Sequence, residues 1–148
     1  MKPWGTGQSR HRTGQAGQAL VETALVVGFL VILTLGAVEF GRAWMILNSV
    51  THVARDGARA AAIAPLSDRN TAKIITNLAT YQTLVTTELQ NTIGTSTLIA
   101  ELNPNLTLSG VPMVQMTVTG TVPYIFNIPF VGTSFSVNRS VTFRDEGR

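Results

Sequence analysis

Gly17, Gln18 and Glu22 are the residues of this 148-residue chain whose spacing suggests chemistry. Were the peptide bond after Gly17 cut, the new ammonium would stand on Gln18 and a carboxylate, Glu22, would be fifth in the product. Glu22 lies in an otherwise uncharged apolar run that ends at Val38. A charge at the centre of a spanning helix costs about 2.5–3.5 kcal/mol, and less near an edge, so Glu22 needs an interface or a partner. Three roles are open to it. It can neutralise the ammonium of its own chain, it can meet the amine of a neighbour displaced along an assembly axis and so set register, or it can snorkel to nearby headgroups.

Other chemistry is poorly provided for. There is no cysteine, His11 precedes the apolar run, and His52 has neither Cys nor His at metal-ligand spacing, so no metal site and no cofactor are expected. Serines and threonines are plentiful in the carboxy-terminal half, but no histidine stands there to activate one, which excludes a Ser-His-acid hydrolase. Glu88 and Glu101 could form a carboxylate pair, yet no aromatic pattern around them suggests a sugar cleft. An enzyme is not expected.

The apolar run is long enough to position Glu22 in a membrane. Gln18 to Val38 would extend about 31 Å as a helix, against a hydrocarbon core of about 30 Å. Ala24 and Gly28, four apart, offer a small face for a neighbouring helix. Lys2, Arg10 and Arg12 precede the run with no acid among them, which places the amino terminus in the cytoplasm and everything after the run outside it. The overall charge of +3 resides in that leader. Without residues 1–17 the chain holds eight basic and eight acidic residues, so no basic surface for nucleic acid is expected. A secretory signal peptide also has a basic start and an apolar centre, but this run is longer than a signal core, and Glu39 and Arg42 follow it where a cleavage site would lie.

The helical pattern continues beyond the membrane length. Phe40, Ala43, Trp44, Leu47, Val50, Thr51, Ala54, Ala58 and Ala61 recur at three and four, and Pro65 supplies a stop, so one helix is expected from about Gln18 to Ala64. Phe40, Trp44 and Leu47 are its candidate packing residues. After Pro65 the helix-start residues Ser67 and Asp68 precede Ile74, Ile75, Leu78, Tyr81, Leu84, Val85 and Leu89 at helical spacing up to Gly94, which predicts a second amphipathic helix. Val114, Met116, Val118 and Val122 alternate with polar residues, as do Phe135, Val137, Val141 and Phe143. These predict two antiparallel strands around a Pro123–Gly132 connection, with a short third strand near Leu106–Leu108. The connection is apolar enough that it must either close the core or face a partner. The expected class is α+β: a long amino-terminal helix, then a small exported domain with a second helix and an antiparallel sheet. The expected segments are a leader 1–17, a membrane half 18–38, an amphipathic extension 39–64 and the exported domain 65–148.

A basic leader ending in Gly, then four residues, then Glu in an apolar helix resembles the type IV prepilins. The words GQALVETALVV and VEFGRAW, followed by ARDGARAAA, narrow the resemblance to the TadE-like family of the tight-adherence (Tad, Flp-type) pilus machinery. The likeness is dense from Gly17 to about Ala64. It implies removal of the leader after Gly17 by a prepilin peptidase, Gln18 as the new terminus, and Glu22 as the characteristic acid of an assembly salt bridge. Glu39 and Arg42 fall in the family's EFGR-type segment. Where the common product has Phe first and Tyr after the Glu, this chain has Gln18 and Thr23.

The resemblance further implies a minor pilin or pseudopilin. Its partners would be the peptidase, other pilin subunits, the pilus assembly platform and the bacterial inner membrane. It would span that membrane once before reaching the pilus and cell surface in an adhesive filament. The alternatives are a major pilin of unusual type and an uncleaved single-pass scaffold of a secretion or pilus machine.

Overall fold

The computed structural model describes residues 12–94, 97–126 and 132–147, with side chains from Gly17 onward. Its elements are α1 (Arg12–Ala62), a 3-10 turn (Leu66–Asp68), α2 (Leu78–Ile93), β1 (Ile99–Leu108), β2 (Val111–Pro123) and β3 (Ser134–Arg144). This is the α+β arrangement expected. The chain divides into two compact units, Met1–Val38 and Glu39–Arg148.

In the first unit, α1 begins at Arg12, inside the expected leader 1–17 and ahead of the expected start near Gln18. Residues 1–11 lie outside the described residues. From Gly17 to Thr34 every side chain is exposed, including Leu20, Leu25, Phe29 and Ile32. An all-round apolar helix with nothing covering it fits lipid as its surroundings. Thr23 and Thr34 return their hydroxyls to the carbonyls of Ala19 and Leu30, both at 2.8 Å, which hides polar groups along the run.

In the second unit, three antiparallel strands in the order β1-β2-β3 form a sheet whose inner face is covered by α1 and α2. The alternation of β2 places Val114, Met116, Val118 and Val122 inward, all fully buried. Across β2 and β3 the pairs Val114–Phe143, Met116–Val141, Gly120–Val137 and Val122–Phe135 stack same-facing residues, as the alternation requires. Gly120, with φ of 151°, leaves space that the backbone of Thr97 fills. On the outer face Thr117 and Ser140 share a hydroxyl hydrogen bond of 2.8 Å.

Three elements differ from the sequence reading, each for a local reason. α1 ends at Ala62, slightly before the expected Ala64, and Pro65 follows. The expected helix from Ser67 starts only at Leu78. Between them, Asn70 builds a tight turn: its carbonyl accepts from Lys73 N at 2.8 Å and its side chain from Ile74 N at 2.9 Å. Lys73 has a φ of 60°, and Arg69 bridges Ile75 antiparallel, so Ile75 reaches the core from extended backbone. Asp68 caps no helix; its carboxylate accepts the Tyr81 hydroxyl at 2.9 Å.

The third difference concerns β1, which runs from Ile99 and is much longer than the strand expected at Leu106–Leu108. Ala100 and Leu102 are buried in alternation, and a register shift between Asn103 and Leu106 absorbs Pro104. A proline without an N–H is tolerated at such a bulge on an edge strand. The β1–β2 hairpin closes through Ser109 and Gly110, both at positive φ, the two-residue turn whose twist matches paired strands.

Burial raises the Tyr81 pKa above its ordinary 10.0, with the Asp68 hydrogen bond adding to the shift. Because the folded value is raised, the neutral phenol is the stabilising form. Its contribution is complete below pH 10 and is lost as pH climbs through the folded value. Tyr81→Phe should therefore flatten the alkaline arm of a stability-versus-pH curve while leaving the neutral range within about 1 kcal/mol.

Gly57 marks a close approach within this unit. A Cβ there would collide with Val85 Cγ2 on α2 and press on Met116 Cε at 3.3 Å. Alanine would gain about 1 kcal/mol of helix propensity, but two fully buried neighbours would have to move. Gly57→Ala should therefore lower stability by about 1–2 kcal/mol net, read as a lower midpoint in denaturant.

Candidate functional site

The EFGR-type segment builds the polar constellation nearest the end of the apolar run. Glu39 follows Val38 directly and is 4% exposed. Its Oε1 accepts from Arg42 Nη1 at 3.1 Å, one helical turn along, and from Ile125 N at 3.2 Å. Arg42 Nη1 also donates to Pro123 O at 2.9 Å. The pair thus clasps the end of β2 and the residues that leave it onto one turn of α1. Glu39 Oε2 has no partner among the described residues. A buried carboxylate is tolerable here because the guanidinium neutralises it and the Ile125 amide is satisfied by the same oxygen. Tyr124 braces the clasp: its N–H bonds Thr133 O at 3.0 Å, and its ring lies 5.7 Å from that of Phe135.

Gly41 has open space at its Cβ position, and Phe40 is exposed, so Glu39 and Arg42 carry the intrachain contacts of the segment. Glu39→Ala would strand Arg42 and the Ile125 amide. It should cost about 1.5–3 kcal/mol and speed hydrogen exchange at Ile125, while strand amides at Val114–Val118 keep their protection.

The other sequence-chosen residues fall into two groups. Gly17, Gln18, Glu22, Ala24 and Gly28 all lie exposed on the first unit's helix, and the Glu22 carboxylate makes no hydrogen bond or ion pair among the described residues. Of the candidate packing residues, Leu47 is half-buried against the core, whereas Phe40 and Trp44 face outward. The buried seam of α1 is Ile46, Val50, Ala54, Ala58 and Ala61. Residues 127–131 of the apolar connection lie outside the described residues, and of the remainder Ile125 is exposed.

A second clasp, absent from the sequence reading, sits where α1 ends. Arg69 is buried and grips Asp145 with two bonds, Nη1 to Oδ2 at 3.1 Å and Nη2 to Oδ1 at 2.9 Å. The same guanidinium donates to the carbonyls of Ala64, Ala62 and Lys73. No local pattern marks Arg69 as buried; the signal is the pairing itself, 76 residues apart. No group of His, Cys, Asp and Glu among the described residues is placed to hold a metal ion.

The described residues contain one helix long and apolar enough to cross a membrane, Gly17–Ala62, with its most apolar stretch wholly unburied. Comparison with curated proteins and with solved structures gave no match. The family model of the TadE-like proteins matches residues 17–59. That stretch contains Gly17, Glu22, the Glu39–Arg42 clasp and Gly57. The likeness is to a structural, non-enzymatic kind of protein, associated with the membrane and with pilus subunits. Over residues 17–59 the chain is thus similar to the TadE-like proteins, a pilin-like family associated with Tad pili.

Proposed function

We propose that the protein is a minor pilin or pseudopilin, inserted once through the bacterial inner membrane, cut after Gly17 by a prepilin peptidase, and built into or beneath a Tad-type pilus that serves surface adhesion. Residues 1–17 are the leader, 18–38 the membrane half of the helix, 39–64 its amphipathic extension and 65–148 the exported remainder. The observation that carries this reading is an uncovered apolar helix headed by Gly17 and holding one carboxylate, Glu22, with no partner among the described residues. A lone carboxylate on a lipophilic helix is stable only at an interface or beside a cation, and the amine created at Gln18 is that cation. Pairing between neighbouring subunits makes Glu22 the register device of assembly.

The test is the intact mass of the membrane-extracted protein from cells with and without the peptidase. Loss of residues 1–17 only when the peptidase is present supports the pilin reading. A full-length mass in both would leave an uncleaved single-pass scaffold and overturn it.

A further inference from the structure

We propose that the base of the Glu39–Arg148 unit rests on the lipid surface, through an apolar collar made of Phe40, Trp44, Met45 and Ile125. The inference rests on the membrane-spanning reading above. Phe40, Trp44, Met45 and Ile125 are between 62% and 72% exposed. At 3.6 residues per turn, Phe40, Trp44 and Met45 stand about 100°, 140° and 240° round the helix from Glu39. Ile125 fills the remaining side, because its N–H is held by the Glu39 carboxylate. The collar therefore surrounds α1 within a band about 8 Å tall. A partner helix would need a one-sided stripe, whereas a ring fits a plane.

The height is that of the membrane border. Val38 ends the apolar run, and at about 1.5 Å rise per residue Phe40 lies about 3 Å beyond it and Trp44 about 9 Å. Side chains on a helix lean back toward its amino terminus, so Trp44 and Met45 cover the turn nearer the membrane. Each interfacial zone is about 5–8 Å deep, and indole is the side chain that favours it. The only charges from Glu39 to Leu47 are Glu39 and Arg42, and these neutralise each other. The clasp thus has a second consequence: by folding Arg42 inward and pinning Ile125 to the base of the unit, it presents an uncharged rim to the headgroups.

The chain holds two tryptophans, Trp4 and Trp44, so Trp4→Phe leaves one probe in the collar. The full chain carrying it would be reconstituted into vesicles of phosphatidylcholine and phosphatidylglycerol containing lipids brominated near the glycerol or near the chain end. A second variant, Trp4→Phe/Trp44→Phe/Ile125→Trp, moves the probe to an exposed position on the opposite side of the helix. Both probes should lose most of their emission to the shallow bromines, lose little to the deep ones, and resist aqueous iodide.

Quenching by iodide with no response to brominated lipid, at either site, would overturn the collar. So would emission insensitive to both quenchers and dependent on the protein-to-lipid ratio, which would mean a second copy covers the patch. Alkaline carbonate extraction reads the span separately. Retention with unquenched probes removes only the collar, whereas release of the chain removes the spanning reading and the collar with it.

Discussion

Asp145→Ala should lower the stability of the Glu39–Arg148 unit by about 3–5 kcal/mol, because it strands a guanidinium that is 1% exposed. Against the 5–15 kcal/mol that typically holds a domain together, a loss of about that size removes a third or more. Arg69 cannot escape to water, and it has no second carboxylate among the described residues. The damage would spread along the chain. The guanidinium closes the carboxy-terminal end of α1 by donating to the Ala62 carbonyl, one of those that a helix end leaves without an intrahelical partner, and to the Ala64 carbonyl just beyond it. It also holds Lys73 O in the loop before α2. Asp145 N bonds Pro112 O at 3.0 Å, and Glu146 N bonds Ala62 O at 3.2 Å, so the last strand, the hairpin and the helix end meet at this point.

The double variant Arg69→Met/Asp145→Leu should lose less than Asp145→Ala alone, because no charge is left buried without its partner. Denaturant unfolding of the full chain in detergent, followed by near-ultraviolet circular dichroism, reads both. A single variant with an unchanged midpoint would show that the clasp contributes nothing net.

Glu22→Ala should insert and be processed normally, yet fail to assemble. Removing the carboxylate lowers the cost of membrane insertion, since no acid then enters the apolar run. Under the proposed processing it would leave behind the ammonium on Gln18, buried in the assembly with no counter-charge. Breaking a buried pair in this way costs about 3–5 kcal/mol, on the order of a hundredfold or more in association. The subunit should be nearly absent from sheared surface material while its level in the membrane fraction and its processed mass are unaltered. Glu22→Gln separates charge from shape: a similarly severe defect would assign the role to the charge. Normal assembly of the alanine variant would sink the pairing role and leave headgroup snorkelling as the function of Glu22.

Where local pattern decides structure, the sequence was sufficient. Neither proline nor a long polar stretch interrupts residues 18–62, so that part of α1 follows from propensity and hydrophobic patterning, whereas its start at Arg12 was not read from the sequence. Strands β2 and β3 follow from strict alternation over several residues, which only a half-buried strand satisfies. The places of Gly17 and Glu22 along that helix are likewise read from spacing, and the roles proposed for them rest on that spacing.

Tertiary structure decided whatever depends on partners distant in sequence. Ile74 and Ile75 fit a helical period, but Asn70 can satisfy the Lys73 and Ile74 amides locally, and that turn overrides the period. The sequence shows an apolar stripe on α1 without revealing its edges. Once α2 closes on Gly57, the seam runs through Ile46, Val50 and Ala54, leaving Phe40 and Trp44 outside. Glu39 reaches Ile125 across 86 residues, and Arg69 reaches Asp145 across 76. A charged residue carries no local mark of burial, since its cost is met by a partner that only the folded chain brings within reach. Sequence alone therefore determined that this protein has a lipophilic helix with one acid near its head. The folded domain decided which other charges were taken out of water, and where.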